Sequence, residues 1–186
     1  MNVISLPENG RCKRPFGHIG LIVCLLLFFF SSCNSSSGEQ QDDCPYDPPT
    51  AVFPEGNPQV AEHQFRLDGQ VGSEQVVFAN GIELELIQSG CTDVRQEFRF
   101  RFPKPDTDFG PEGWLDLTVA QFNYMGSIDF SLQPFQEWAR AMSQVGADFK
   151  LGEPVEVGPG FYVRIDRILS SDHSLLLVEL FQNEPG

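Results

Sequence analysis

The sequence has few basic side chains. Its 186 residues contain 12 lysines and arginines against 26 aspartates and glutamates, which gives a formal net charge of −14. The part from Cys33 onward carries 9 basic and 25 acidic residues and is more acidic still. Because an acidic surface repels phosphate backbones, we expect no nucleic-acid partner. The same charge argues against electrostatic docking on anionic lipid.

Histidine and the common catalytic and cofactor motifs are also scarce. The chain has 3 histidines, of which His63 and His173 follow Cys33. There is no CxxC pair, no GxSxG elbow, and no Rossmann, P-loop or repeat pattern. The sequence therefore indicates no metal centre and no cofactor, and it singles out no catalytic residue.

A short apolar run follows a cluster of basic residues near the N-terminus. The basic residues lie within positions 11–14, and the apolar run covers 19–30. A helix of that length spans roughly 18 Å, which is less than the ~30 Å hydrocarbon core of a bilayer. Such a segment is typical of the hydrophobic region of a secretory signal. Two serines and then Cys33 come directly after it.

The tetrapeptide FSSC at 30–33 resembles the lipobox of bacterial lipoproteins, in the form found in Bacteroidota. In that family the cysteine thiol receives a diacylglycerol, the signal is removed just before the cysteine, and the new N-terminus is acylated with a fatty acid. The resemblance implies that residues 1–32 are a signal peptide, that Cys33 is lipidated, and that the protein is anchored by lipid in the outer membrane. An ordinary signal peptide with an incidental cysteine, or an uncleaved anchor, is the alternative.

The segment after Cys33 has the composition of a flexible tether. Residues 34–43, NSSSGEQQDD, include no apolar side chain, so we expect the tether to cover 33–43 and a folded domain to cover 44–186. The acidic cluster of Glu39, Asp42 and Asp43 resembles signals that send some Bacteroidota lipoproteins to the cell surface. A solvated linker on the periplasmic face is the alternative.

Two cysteines remain for the folded domain. Cys12 and Cys24 lie in the signal, Cys33 is assigned to lipid, and Cys44 and Cys91 are left in an oxidising compartment. We predict a Cys44–Cys91 disulfide, which would attach the start of the domain to its first sheet. In the chain-entropy description such a bridge contributes on the order of 4 kcal/mol.

Strict alternation of apolar and charged residues predicts a first hairpin. IELEL at 82–86 and EFRFRF at 97–102 have a period of two, as half-buried strands do. In an antiparallel register whose paired numbers sum to 184, apolar residues face one another on one side of the sheet and glutamates face arginines on the other. The predicted pairs are Ile82–Phe102, Leu84–Phe100, Leu86–Phe98, Glu83–Arg101 and Glu85–Arg99. The row of glutamate–arginine pairs is interpreted either as a solvated face of the sheet or as a binding strip.

Further strands and one helix complete the predicted fold. FYVRIDRIL at 161–169 and SLLLVELF at 174–181 form a second hairpin whose paired numbers sum to 343. The segment 131–146 predicts a helix, with Ser131 as its cap and an apolar stripe facing the sheet. WLDLTVAQF at 114–122 predicts another strand, and 62–70 and 74–81 predict two shorter ones.

The predicted fold class is α+β: a mainly antiparallel sheet with two clear hairpins and one amphipathic helix packed on it, in a single disulfide-pinned domain. Three aromatic residues, Trp114, Tyr124 and Trp138, are candidates for facing a ligand. A core position is the alternative for Trp138.

One loop has the oxygen-rich composition of a calcium site. In PDTDFGPEG at 105–113, Asp106, Asp108 and Glu112 are weak candidates for Ca²⁺ ligands, and Gly110 permits a sharp turn. The spacing does not meet the EF-hand pattern. A solvated loop is the alternative.

These observations predict a non-enzymatic binding module at the outer membrane. Its partners would be the membrane, through lipid on Cys33, and a protein or a glycan. A carrier of small apolar ligands, with a cavity between helix and sheet, is one alternative. A hydrolase that uses carboxylates is the other.

Overall fold

An antiparallel sheet of seven strands makes up most of the chain that the structure describes. The structure is a computed structural model that describes residues 44, 46–89, 94–103, 109–145 and 149–182, all of them within one compact unit, Gln41–Gly186. The strands are β1 (Val60–Asp68), β2 (Val71–Phe78), β3 (Glu83–Ser89), β4 (Arg95–Pro103), β5 (Pro154–Gly158), β6 (Phe161–Leu169) and β7 (His173–Gln182). The predicted α+β class is confirmed.

The strands lie in the order β1-β2-β3-β4-β7-β6-β5. Leu84 faces Phe100 and Val163 faces Leu180, so the β3–β4 and β6–β7 pairs have the predicted registers. The sequence predicted two hairpins, whereas five pairs of consecutive strands are antiparallel neighbours in the described part of the chain. The prediction of a strand over 62–70 and of another over 74–81 agrees with β1 and β2.

The strand predicted at 114–122 was wrong, because this segment is part of helix α1 (Pro111–Ile128). Pro111 suits the first turn of a helix, where its missing N–H has no intrahelical partner. The buried positions recur at helical spacing: they are Trp114, Leu115, Thr118, Gln121, Phe122, Met125, Gly126 and Ile128. Leu115, Leu117 and Val119 alternate as the residues of a strand would. In the helix only Leu115 is buried, and the other two side chains are half-buried.

The helix predicted at 131–146 is shorter than expected. A 3₁₀ turn, Phe130–Leu132, comes first, and α2 (Pro134–Met142) follows. Ser131 does not cap α2; instead its backbone N–H donates a hydrogen bond to Asp129, which caps the 3₁₀ turn. Within α2 the buried residues are Phe135, Ala139 and Met142, at the spacing of one helix face. Gly146, the last residue of the predicted helix, lies outside the described residues.

Both helices cover one face of the sheet, which we call the covered face. There Phe98 packs against Phe122 of α1 at a centroid distance of 4.9 Å and against Phe135 of α2 at 5.6 Å. The segment before β1 lies on the same face, where Phe53 contacts Phe78 at 5.5 Å. Edge-to-face contacts of this kind add to the burial of the rings. The core therefore lies between this face and the two helices.

We call the opposite side of the sheet the open face, because no element of the described chain packs on it. The central strand β7 shows the difference: Ser174, Leu176, Val178 and Leu180 are buried, whereas the residues between them are half-buried. A nearly continuous apolar sequence such as that of β7 is typical of a strand covered on both faces, but here only one face is covered. The open face is instead available for a ligand.

Candidate functional site

A groove of about 500 Å³ crosses the open face over strands β1 to β4. We call it the polar groove. The side chains that line it come from five strands: Glu62 and Gln64 of β1, Gln75 and Val77 of β2, Glu83 and Glu85 of β3, Arg99 and Arg101 of β4, and Leu175 of β7. They point to one side because strand residues two apart share a face. Antiparallel pairing then aligns them across strands, as Gln64 with Gln75 and Glu85 with Arg99.

Ion pairs fix the guanidinium of Arg99 in this groove. Its Nε donates to Glu97 Oε1 at 2.7 Å, and its Nη1 donates to Glu85 Oε2 at 3.0 Å. The hydrogen bond to Glu97 is the main cause that raises the pKa of Arg99, and the bond to Glu85 adds to it. Arg101 lies 4.0 Å from Glu83 in the neighbouring pair. Arg99 therefore presents a permanent, oriented charge to anything bound in the groove.

A second cluster of charges continues along the open face beyond the polar groove. Glu179 of β7 contacts Arg95 of β4 on one side and Arg164 of β6 on the other. The predicted pairing of Arg164 with Glu179 is thus present. Glutamate and arginine alternate across the centre of the sheet and leave this face close to neutral.

Two of the three aromatic candidates lie in or against the core and not at a ligand surface. Trp114 is 1% exposed, and its ring contacts Phe109 at 5.4 Å and the guanidinium of Arg167 at 6.0 Å. Tyr124 packs edge-on against Phe78 at 5.4 Å, and burial raises the pKa of its phenol. The Trp114 ring is therefore enclosed, whereas Tyr124 is half-buried against the core.

The third candidate, Trp138, lines an open groove. Its ring is half-buried and meets Phe161 of β6 at 6.0 Å with an interplanar angle of 77°. The groove has a volume of about 270 Å³ and lies between α2 and strands β5 and β6. We call it the aromatic groove. Its lining residues are Pro134, Glu137, Trp138, Ala141, Val157, Gly158 and Phe161.

The predicted metal and cysteine residues fall largely outside the described chain. Asp106 and Asp108 are not described, and Glu112 is exposed in the first turn of α1. No group of three or more metal-ligating side chains occurs among the residues that the structure describes. Cys44 is disulfide-bonded. Cys33 and Cys91 lie outside the described residues, so lipidation and the Cys44–Cys91 pairing stay predictions.

A buried carboxylate on the covered face was not predicted from the sequence. Glu74 is 0% exposed and accepts three hydrogen bonds, from Val52 N at 2.8 Å, Phe53 N at 2.9 Å and His63 Nε2 at 2.6 Å. A signal was present, because Glu74 is in phase with the apolar residues Val76 and Phe78. All its bonds go to the protein itself, so its role is to hold the segment before β1.

Comparisons with protein-family models, with curated proteins and with solved structures find no match for this chain. In the part that the structure describes, no helix is both long enough and apolar enough to cross a membrane.

Proposed function

We propose that the protein is an exported, lipid-anchored and non-enzymatic binding protein that holds a glycan in the polar groove. The observation that carries this proposal is the composition of the groove: carboxamides, carboxylates and guanidiniums converge on about 500 Å³ of open sheet face. These groups donate and accept hydrogen bonds in pairs, which suits the adjacent hydroxyls of a sugar.

The chemistry of the groove favours a glycan over a protein partner. The centres of protein interfaces are enriched in aromatic residues and depleted of Glu and Asp. The polar groove has no aromatic side chain in its lining, and Glu62, Glu83 and Glu85 supply three carboxylates. Arg99 and Arg101 offset most of that charge, so a neutral, hydroxyl-rich ligand fits better than an ionic one. Val77 and Leu175 offer small apolar patches for the C–H face of a sugar ring.

The packing of the core argues against the apolar carrier. A cavity beneath the helix would have to lie under Phe135. That ring instead packs at 6.3 Å from Phe53, 5.6 Å from Phe98 and 5.8 Å from Phe122. These phenylalanines therefore fill the space between helix and sheet.

The proposed location rests on the lipobox-like FSSC sequence and on the polar segment that follows it. Lipid on Cys33 would attach the protein to the outer membrane, on the periplasmic face or at the cell surface, and residues 33–43 would connect it to the domain. Two or more acyl chains make such attachment stable.

Membrane fractionation of a Cys33→Ala variant tests the location. We expect the variant to appear in the soluble fraction while the unaltered protein stays with outer membranes. Ser35→Ala is the control, because it alters the same N-terminal segment without removing a cysteine. Retention of Cys33→Ala in the membrane fraction would contradict the lipoprotein assignment.

Binding to neutral polysaccharides tests the ligand class. The mature domain is run through native gels that contain mannan, xylan, β-glucan or galactan, and retained pairs are titrated by calorimetry. We expect retention by at least one polysaccharide and about tenfold weaker binding for Gln75→Ala, which removes one hydrogen-bonding group. Gln144→Ala, an exposed glutamine just after α2, is the control.

Two results would count against the glycan proposal. Retention by none of the polysaccharides is one, and equal binding by Gln75→Ala is the other. Release of reducing ends during the incubation would favour the hydrolase alternative instead.

A further inference from the structure

The lining of the aromatic groove is mostly apolar, unlike that of the polar groove. Pro134, Ala141 and Val157 form apolar walls around the perpendicular rings of Trp138 and Phe161. Phe161 is 41% exposed, although phenylalanines of the core are at most 7% exposed. With a volume of about 270 Å³, the groove is slightly smaller than most small-molecule pockets, which begin at roughly 300 Å³. It has the size to accept one side chain of a partner.

One carboxylate, that of Glu137, lies among these apolar side chains. Glu137 is the charged member of the groove lining, and it forms no ion pair with any residue that the structure describes. Glu85 and Glu179 of the open face differ in this respect, because each contacts an arginine. The groove is thus complementary to a cation, and the net charge of −14 attracts cations to the whole molecule.

A cation with a long apolar stem matches this combination best. The positive charge would lie over the Trp138 ring and beside Glu137, where both the ring quadrupole and the carboxylate attract it. The stem would contact Pro134, Ala141 and Val157. A compact ammonium ion would leave these apolar side chains exposed to water. Arginine fits better than lysine, because its planar guanidinium stacks on an indole ring.

We propose that the aromatic groove is a docking site for an arginine side chain of a protein partner. The site is independent of the polar groove, since the two lie on opposite faces of the sheet. The protein would hold a glycan on one side and a basic protein segment on the other.

Nuclear magnetic resonance of the indole N–H groups tests the proposal directly. The chain has 2 tryptophans, and Trp114 is 1% exposed, so its signal serves as an internal reference. The ¹⁵N-labelled mature domain is titrated with the peptide acetyl-Gly-Leu-Arg-Leu-Gly-amide. We expect the Trp138 signal to shift and the Trp114 signal to stay. The same peptide with Gln in place of Arg should bind about tenfold more weakly.

Two substitutions separate the charge from the ring. Glu137→Gln should weaken binding of the Arg peptide about threefold and leave the Gln peptide unaffected, because one exposed ion pair is lost. Glu112→Gln, an exposed glutamate in the first turn of α1, should change neither. Trp138→Leu should reduce the difference between the two peptides to the roughly threefold preference that Glu137 supplies, measured by calorimetry because this variant has no Trp138 signal.

Three results would overturn the proposal. Equal binding of the Arg and Gln peptides would mean that the groove recognises apolar chains without regard to charge. An equal shift with tetramethylammonium would assign the groove to a small cation and not to a protein. Absence of any Trp138 shift at millimolar peptide would mean that the groove binds neither.

Discussion

At the scale of single residues, Glu74 shows how this chain accommodates a carboxyl group inside its core. A buried carboxylate is costly unless hydrogen bonds compensate for the lost hydration. Two backbone N–H groups and the imidazole of His63 supply three such bonds to Glu74. The carboxylate in turn satisfies the N–H groups of Val52 and Phe53, which the strands leave without partners. Hydrogen bonds to an ionised group are among the stronger ones in proteins.

We expect Glu74→Ala to lower the free energy of unfolding by about 3 kcal/mol, because it leaves buried donors without an acceptor. Urea denaturation of the mature domain measures the change. Glu62→Ala, on the exposed side of β1, should lie within about 0.5 kcal/mol of the unaltered protein. Equal stability of the two variants would show that the Glu74 bonds contribute little.

Asp129 gives a prediction for the dependence of stability on pH. Hydrogen bonds from the backbone and the hydroxyl of Ser131, at 2.9 and 2.8 Å, lower the pKa of Asp129 below its usual value of 3.8. Because the folded state holds the lower pKa, the stabilisation is present above about 3.8 and is lost as the pH falls through the folded pKa. The gap in unfolding free energy between the protein and Asp129→Ala should therefore narrow in acid. A gap that stays constant between neutral pH and acid would contradict this.

At the scale of secondary structure, the close approach of α1 and α2 depends on Gly126. A Cβ atom at this position would lie 2.5 Å from Gln136 Cγ and 2.9 Å from the Gln136 backbone nitrogen. Glycine inside a helix costs about 1 kcal/mol relative to alanine. The chain tolerates this cost because α2 passes so close to α1.

Gly126→Ala should therefore destabilise the domain by about 1–2 kcal/mol, even though alanine favours the helix. Backbone atoms cannot move aside as the end of a side chain can, so overpacking exceeds the gain in helix propensity. Thermal unfolding measures the effect, with Ser127→Ala at the next, exposed position as the control. An increase in stability would show that the two helices separate without cost.

The pattern of apolar residues within each element explains why β3 and β4 could be predicted from the sequence and α1 could not. In β3 and β4 the alternation of apolar and charged residues allows one register only, since a shift by one residue would oppose leucine and arginine. In α1 the first nine residues after Gly113 contain both an alternating set and a helical set of apolar positions. The helical set becomes decisive only when Met125 and Ile128 are included.

At the scale of the whole molecule, the basic residues concentrate on the open face. Of the 9 lysines and arginines after Cys33, five are on that face: Arg66, Arg95, Arg99, Arg101 and Arg164. The sequence predicted the charged row of β3 and β4. The polar groove could not be predicted, because it also needs Gln64 and Gln75. Their position beside that row follows from the strand order, which short-range patterns do not determine.

The disulfide stabilises the whole domain by restricting the conformations of the unfolded chain. Cys44 is disulfide-bonded, and we expect Cys91 to be its partner. Closing a loop of about 48 residues should contribute about 4 kcal/mol, so reduction should lower the urea midpoint markedly. Peptide mapping of the mature domain should recover one linked pair of peptides that contains both cysteines. Two thiols that react with alkylating agents before reduction would refute the pairing.

The attachment of the segment before β1 has a mechanical consequence. A pull on the N-terminal end of the domain is carried first by the Cys44 disulfide and, once that bond is reduced, by residues 50–53 before it reaches β1. There Glu74 of β2 holds two backbone N–H groups, and Gln88 of β3 donates a hydrogen bond to Thr50 O at 3.0 Å. Tension therefore passes into the second and third strands of the sheet and not into the edge strand, which a force along the chain would otherwise peel away. A tether at the N-terminus would therefore load the interior of the sheet before its edge.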